Sequence, residues 1–162
     1  MKPWDQRAFE IRNLFNPAFC GVILHRAIAG YEEENQAGMP FSLSLLVLPL
    51  CLHKETRLVL SANSRGYLLK AIEKNPRILV GFADRAGNLV PFALEAFGFL
   101  MERGSFTVTA DGRLQTVDKK VRKTVTGSDE SIACQRAARF VGREFAIIAD
   151  RVTIFTSLGV RP

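Results

Sequence analysis

The sequence predicts a mainly α-helical fold that contains a small β-hairpin. In several segments apolar residues recur every three or four positions, which is the spacing of one helix face. A short stretch on either side of Ala110-Asp111-Gly112 instead alternates apolar and polar residues around a glycine turn. Apolar residues make up 48% of the chain, and twelve residues are phenylalanine, so a real hydrophobic core is expected.

The first long helix is predicted over residues 18–31. The side chain of Asn16 suits the capping position, and Pro17 suits the first helical position, where no amide hydrogen is needed. Apolar residues cover most of the helix circumference, which indicates a central, nearly buried helix. We expect it to end at Gly30 or soon after, with residues 32–38 as a solvated connection.

The next segment, residues 41–60, has two readings. Its apolar run fits a buried strand, or a helix that is interrupted at Pro49. We favour the helix.

Three helices are predicted in the middle of the chain. The first begins at Asn63 or Ser64, which can cap its free amides, and ends before Pro76. The second covers about residues 77–88, and Pro91 opens the third. The third helix has an apolar stripe at three- and four-residue spacing, formed by Ala93, Ala96, Phe97, Leu100 and Met101.

A hairpin is predicted directly after the third helix. Phe106 and Val108 alternate with polar residues, and residues 113–117 follow the glycine turn with Leu114 facing inward. Three short helices followed at once by a hairpin have the order of a winged helix, which we place at residues 63–117.

The last long helix is predicted to begin at Ser128, because acidic residues follow it at the positive end of the helix. Its apolar stripe consists of Ala133, Ala137, Val141, Phe145 and Ile148. Residues 152–162 are strongly apolar for a terminus, so we expect them to dock on the core.

These elements divide one compact unit, residues 1–162, into three parts. Residues 1–60 form an N-terminal helical part, and residues 61–120 form the winged-helix-like core. Residues 121–162 form the C-terminal helix with its docked tail.

Composition limits the class of protein. No stretch approaches the roughly 20 apolar residues that a membrane span needs, and the N-terminus lacks the apolar core of a signal peptide. The three cysteines, Cys20, Cys51 and Cys134, are widely spaced and fit a reducing compartment. We therefore expect a soluble, cytoplasmic protein with no membrane partner. The formal net charge of +6 permits contact with nucleic acid or with an acidic protein surface.

The sequence predicts neither an active site nor a cofactor or metal site. It contains no nucleophile elbow and no glycine-rich phosphate loop. Cys20, His25, Cys51 and His53 lack the close paired spacing of a structural zinc site, and Cys20 lies in an apolar helix as a core thiol. An enzyme that uses His25 or His53 is the least favoured hypothesis.

The outward face of the third helix carries Phe92, Glu95, Phe99 and Glu102. A helix that reads DNA presents Arg, Lys, Asn or Gln to base edges, whereas carboxylates are repelled by phosphates. An aromatic and acidic face suits a protein partner better. The alternative is that the N-terminal helix or the C-terminal tail covers both phenylalanines.

Positive charge is concentrated in two other places. Lys119, Lys120, Arg122 and Lys123 follow the hairpin, and Arg136, Arg139 and Arg143 form one face of the last helix. Both groups could follow a phosphate backbone without reading its sequence. The alternative is an ordinary solvated, charged surface.

Several segments, taken in order, resemble one protein family. Residues 12–19 read RNLFNPAF, residues 38–41 read GMPF, and residues 46–50 read LVLPL before His53-Lys54. Residues 138–143 read ARFVGR, and the chain closes on LGVRP. This set is similar to the middle component of bacterial three-component ABC systems.

The resemblance implies a non-catalytic subunit. Such systems combine an SMC-like ABC ATPase with a middle component and a third subunit, and are thought to act in defence against foreign DNA. We therefore predict an adaptor that binds the ATPase and contacts DNA at most non-specifically. The sequence is also compatible with a homodimer. The alternative is a stand-alone winged-helix regulator that binds DNA.

Overall fold

Helices follow one another along most of the chain, and a small antiparallel sheet lies among them. The computed structural model describes residues 2–64 and 66–161. Its α-helices are α1 (Phe9–Leu14), α2 (Pro17–Glu34), α3 (Phe41–Ser44), α4 (Val47–Cys51), α5 (Lys54–Ala62), α6 (Leu68–Lys74), α7 (Phe82–Glu102), α8 (Asp129–Ile148) and α9 (Arg151–Ser157). Its strands are β1 (Met39–Pro40), β2 (Phe106–Val108) and β3 (Arg113–Thr116). The predicted fold class, mainly α-helical with a small hairpin, is confirmed.

The central helix is α2, which packs against both α7 and α8. Its predicted cap is confirmed, because the Asn16 Oδ1 atom accepts a hydrogen bond from the Ala18 amide at 2.9 Å. The helix continues to Glu34, three residues beyond the predicted range of 18–31. The last turn is held by Glu32, whose carboxylate accepts hydrogen bonds from the amide and hydroxyl of Thr116 on β3.

The contact between α2 and α8 brings two helix backbones together. A Cβ atom added at Gly142 would overlap the carbonyl oxygen of Ala27, and one added at Gly30 would overlap the carbonyl oxygen of Arg139. Only glycine leaves room for this approach at the two positions. The close contact between α2 and α8 therefore depends on the absence of side chains at these two glycines.

Residues 41–60 are helical, as favoured, but they form the three short helices α3, α4 and α5. Pro49 lies inside α4 instead of interrupting it. It is the third residue of that helix, where its missing amide hydrogen has no partner within the helix to lose.

The predicted second and third helices are a single helix, α7, so the prediction of a break before Pro91 was wrong. A proline inside a helix leaves the carbonyl of the residue four positions earlier without its bond. Here that residue is Gly87, and both Gly87 and Pro91 are on the exposed side of α7. Water can satisfy the free carbonyl, so the helix continues. The segment from Pro76 to Leu79 is a short 3-10 helix.

The predicted start of the first middle helix was also wrong. Asn63 ends α5, and α6 begins only at Leu68. The cap comes from a distant part of the chain, because the buried carboxylate of Glu144 on α8 accepts a hydrogen bond from the Leu68 amide at 2.9 Å.

The hairpin is confirmed, with β2 paired to β3 and Leu114 buried. A third strand that the sequence did not predict lies on the other side of β3, where Met39 is opposite Leu114. Phe106 packs edge-on against Phe97 of α7 at 5.5 Å between ring centroids. Because α7 is one helix, residues 63–117 do not contain the three separate helices expected, and the winged-helix arrangement is not confirmed.

The C-terminal part matches its prediction. Ser128 caps α8, and its Oγ atom accepts a hydrogen bond from the Ser131 amide at 3.3 Å. The tail docks through Ile154, Phe155 and Leu158, which are all buried; Pro162 lies outside the described residues. Nowhere in residues 2–64 and 66–161 does a helix have the length and apolar character to span a bilayer.

Candidate interaction surfaces

Half of the predicted partner face is covered by the N-terminal segment, which we define as residues 2–15. The Arg7 guanidinium donates two hydrogen bonds to the Glu95 carboxylate, at 2.7 and 2.8 Å. This pairing with Glu95 holds the pKa of Arg7 above its ordinary value. Next to it, the rings of Phe15 and Phe92 lie 4.4 Å apart between centroids. Phe92 and Glu95 are thus engaged within the chain, as the alternative interpretation expected for Phe92.

The other half of that face lies near the end of α7. Phe99 is half-buried, with the guanidinium carbon of Arg103 4.4 Å from its ring centroid, and Glu102 is exposed. Neither residue touches the N-terminal segment through a hydrogen bond or ion pair that the structure describes.

Beside this face, α7 exposes an apolar stripe that the sequence analysis missed. We call it the outer face of α7, and it consists of Gly87, Pro91, Leu94, Gly98 and Met101. Leu94 is 50% exposed and Met101 is 59% exposed. The prediction that Met101 belongs to the buried stripe is wrong, because its spacing from Phe97 and Leu100 fits either side of the helix. The rotation of α7 on α2, which spacing does not specify, places it outside.

The four cations after the hairpin lie in a loop of residues 117–128, which we call the basic loop. Lys119, Lys120, Arg122 and Lys123 are all exposed. Within the part of the chain that the structure describes, no carboxylate lies within 4.0 Å of any of them.

The basic loop is attached to α2 by a buried arginine. The Arg26 guanidinium donates to the carbonyl oxygens of Arg122 at 2.6 Å and Thr124 at 3.2 Å. It also donates to the Gln135 side chain on α8 at 3.2 Å. Burial, and then the charge of Arg139, lowers the pKa of Arg26. Arg26 thereby holds the loop beside the first half of α8.

The predicted basic face of α8 is only partly free. Arg136 is exposed and has no carboxylate within 4.0 Å among the described residues. Arg139 pairs with Glu33 at 2.7 Å, and Arg143 is half-buried, with its guanidinium carbon 5.7 Å from the Phe140 ring centroid. The structure therefore leaves Arg136 without a carboxylate partner among the described residues and commits Arg139 to an ion pair within the chain.

The histidines and cysteines are buried in the core or take part in helix capping. Both ring nitrogens of His25 are buried without a hydrogen-bond partner in the structure, whereas His53 caps α5 by accepting from the Thr56 amide at 3.4 Å. The three thiols are buried. Among residues 2–64 and 66–161, no three His, Cys, Asp or Glu side chains are arranged to hold a metal ion.

These features are typical of a helical protein that binds other macromolecules, because one helix face is apolar and exposed and one loop is cationic. Comparison with known families identifies the particular family, because the model of the ABC-three component (ABC-3C) system Middle Component 3 matches residues 4–162. The chain belongs to this family, and the predicted resemblance to a middle component is confirmed. Neither the curated proteins nor the solved structures include a significant match. As a middle component, the chain has other subunits of its system as partners.

Proposed function

We propose that this chain is the non-catalytic adaptor of its three-component system and binds the SMC-like ABC ATPase through the exposed side of α7. The docking surface consists of the outer face of α7 together with Phe99 and Glu102. Phe92 and Glu95 contribute indirectly, because their contacts with the N-terminal segment fix that segment next to the docking surface. The system would act in the cytoplasm, in defence against foreign DNA, together with a third subunit.

The uncovered outer face of α7 is the observation that carries this proposal. Surface residues of a helix are normally polar, whereas the outer face of α7 runs from Gly87 through Pro91, Leu94 and Gly98 to Met101, with the exposed Asn88 at its edge. Exposed apolar side chains that lie side by side are typical of surfaces that bind another protein. The family match, which covers almost the whole chain, supplies a system in which such a partner exists.

Co-purification of the full chain with the ATPase encoded by the same system tests the proposal, with and without ATP. We expect a stable complex, and we expect the Met101→Glu and Leu94→Glu variants to weaken it by about tenfold or more, since apolar anchors at the centre of an interface dominate affinity. Val152→Glu is the matched control, because Val152 is also an exposed apolar residue, 60% exposed, but lies on α9.

Two results would contradict the proposal. One is the absence of any complex in either nucleotide state. The other is a complex that tolerates both glutamates on α7 and yet is lost with Val152→Glu, which would move the docking surface to the C-terminal part.

Direct contact with DNA is the second candidate, and the unpaired cations of the basic loop favour it. Cations without carboxylate partners are available to phosphates and release counterions on binding. Arg26 contacts both the basic loop and Gln135, the residue before Arg136, so the loop and this part of α8 could contact one backbone. We propose that the chain contacts DNA without recognising its base sequence while it is part of the complex. The alternative function is that of a stand-alone DNA-binding regulator.

Duplex binding measured over a range of salt concentrations tests this candidate. We expect affinity to fall steeply with salt and to be lost when Lys119, Lys120, Arg122 and Lys123 are changed to glutamate. The control reverses Lys70 and Lys74, two exposed cations of α6. No binding at low salt, or equal losses in both variants, would exclude a role of the basic loop.

A further inference from the structure

A cavity of about 580 Å³ opens between the N-terminal segment, the junction of α4 and α5, α7, and the start of α8. Apolar side chains supply most of its wall, among them Leu14, Phe15, Phe19, Leu52 and Leu89. Its volume falls in the range of small-molecule sites, and such sites combine apolar walls with a few polar groups. The cavity shares no lining residue with the outer face of α7, and it meets the basic loop only at Ser128, the last residue of that loop.

Arg57 places a buried positive charge at this cavity. The residue is 4% exposed, and its guanidinium donates to the carbonyl oxygens of Cys51 and Leu52, both at 3.0 Å. Its charge is balanced by the Glu130 carboxylate at 2.6 Å. A buried charge needs such a partner, because it has lost its hydration.

The partner itself is loosely held. The Glu130 side chain is 72% exposed, and Arg57 is its one hydrogen-bond or ion-pair partner among the described side chains. Because Glu130 has no other partner to lose among the described side chains, another anionic group that reaches Arg57 can take its place and keep the buried charge paired.

A second guanidinium in the lining has no anionic partner. Arg85 donates to the carbonyl oxygens of Val80 at 2.9 Å and Ile78 at 3.1 Å, and within residues 2–64 and 66–161 no carboxylate lies within 4.0 Å of it. His53 also lines the cavity, and burial followed by the charge of Arg85 lowers its pKa, which favours the uncharged ring. The lining thus holds two positive groups against the single carboxylate of Glu130.

We infer that this cavity binds a small molecule with an apolar body and one anionic group, and that the anionic group replaces the Glu130 carboxylate on Arg57. The apolar wall contacts the body of the ligand, and Arg85 adds a long-range attraction for its charge. This inference goes beyond the adaptor role and does not depend on it.

Two fluorescent dyes test the inference on the full chain. Anilinonaphthalene sulfonate has an apolar body with one anionic group, and phenylnaphthylamine has the same rings without the sulfonate. We expect one sulfonate dye to bind per folded chain, more tightly than the neutral dye. Equal affinity of the two dyes, or no binding to the folded chain, would overturn the inference.

Neutralising the competing carboxylate gives the sharpest comparison. Glu130→Gln frees Arg57 and should tighten binding of the sulfonate dye by at least about threefold, because the dye no longer has to displace a carboxylate from the guanidinium. Asp129→Asn removes the same charge from the same turn of α8 without touching Arg57 and should change the affinity much less. Equal effects of the two variants would show that only net charge matters and would overturn the exchange at Arg57.

Obstruction of the cavity identifies the place of binding. Asn88→Trp, at an exposed lining position of α7, should abolish binding of both dyes, whereas Asp84→Trp, one turn earlier and outside the lining, should not. Retained binding in Asn88→Trp would overturn the assignment. So would competitive displacement of the dye by the purified ATPase, because it would assign the cavity to a protein segment.

Discussion

Two buried ionisable side chains are accommodated in different ways by this fold. His25 is only 7% exposed, and neither of its ring nitrogens has a hydrogen-bond partner. Burial, and then the neighbouring charge of Arg26, lowers its pKa from 6.5 to about 4. Glu144 is only 2% exposed, but its carboxylate accepts a hydrogen bond from the Leu68 amide and lies 3.5 Å from the Arg143 guanidinium.

The depressed pKa of His25 predicts acid sensitivity. The unfolded chain binds a proton at this residue below about pH 6.5, whereas the native chain does so only near pH 4. Stability should therefore fall as the pH drops through this window. His25→Leu should retain or increase the free energy of unfolding at pH 7, because it removes two unsatisfied polar atoms, and should lose less of it on acidification.

Urea unfolding of the wild type and of His25→Leu between pH 7 and pH 4 measures this difference. Other groups titrate in the same range, so the informative quantity is the difference between the two slopes. Parallel pH profiles would contradict the assignment of acid sensitivity to His25.

Loss of the long-range cap on α6 should be costly. Glu144→Ala leaves the Leu68 amide without its acceptor inside the protein, and we expect a loss of about 1–3 kcal/mol in the free energy of unfolding. Glu144→Gln keeps an oxygen acceptor and should lose less. Glu73→Ala, on the exposed side of α6, is the control. A cost of Glu144→Ala no greater than that of Glu73→Ala would show that the cap contributes nothing.

Helices in this protein are held in two different ways, by close backbone packing and by single polar contacts. The pair α2 and α8 meets through Gly30 and Gly142, where any side chain would overlap the opposite backbone. The N-terminal segment is instead attached by Arg7 and Phe15. The first arrangement leaves no room for added atoms, whereas we expect the second to be released without separating α2 from α8.

An added methyl group distinguishes the tight helix pair from an open helix surface. Gly142→Ala should lower the free energy of unfolding by at least about 2 kcal/mol, because α2 and α8 have to separate. Gly98→Ala is the matched control on α7, where no atom lies within 4 Å of the added carbon. There we expect a gain of about 0.5–1 kcal/mol from the higher helix propensity of alanine. Similar effects at both glycines would contradict the close approach.

Release of the N-terminal segment should be local. Arg7→Ala removes both hydrogen bonds to Glu95, so amide exchange in α1 should become faster while exchange in α2 and α8 stays the same. Hydrogen exchange with mass spectrometry measures the three helices in one experiment. Glu10→Ala, an exposed change within α1 itself, should leave exchange there unaltered. Equal exchange in Arg7→Ala and wild type would mean that Phe15 suffices to hold the segment.

At the scale of the whole molecule, the three buried cysteines lie in different parts of the core, one each on α2, α4 and α8. Burial raises the pKa of the Cys20 thiol to about 12 and also raises the pKa values of Cys51 and Cys134. A thiol reacts as its thiolate, so all three should resist modification in the native state.

Thiol labelling should therefore report opening of the core. We expect a disulfide reagent at pH 8 to modify the native chain slowly and in a single phase, and to modify all three thiols at once after denaturation. Denaturant-dependent labelling rates provide the measurement. One thiol that reacts rapidly in the native chain would show that its part of the core opens independently.

Local patterns predicted much of this architecture. Asn16-Pro17 and Ser128 mark helix starts because capping involves only neighbouring residues, and the glycine turn marks the hairpin for the same reason. The same reasoning failed for α6, whose cap is 76 residues away in the sequence. It also failed to find β1, a two-residue strand that exists only because β3 offers an edge.

The candidate surfaces were predicted in part. The sequence identified the cations of the basic loop and the mixed face with Phe99 and Glu102, because charge and periodicity are visible in the residues themselves. It did not identify the outer face of α7, since spacing alone does not specify which side of the helix meets α2. It also gave no indication of the cavity beside Arg57, whose lining comes from four separate regions of the chain.

The sequence by itself determined the class of fold, the central buried helix and the membership in a middle-component family. Only the tertiary structure decided that α7 continues through Pro91, that Phe92 and Glu95 face the N-terminal segment, and that Met101 is outside. The physical reason is common to all three. Each of these features depends on whether a given side of the helix meets atoms of a distant segment or water. The sequence around that helix does not specify which of the two it meets.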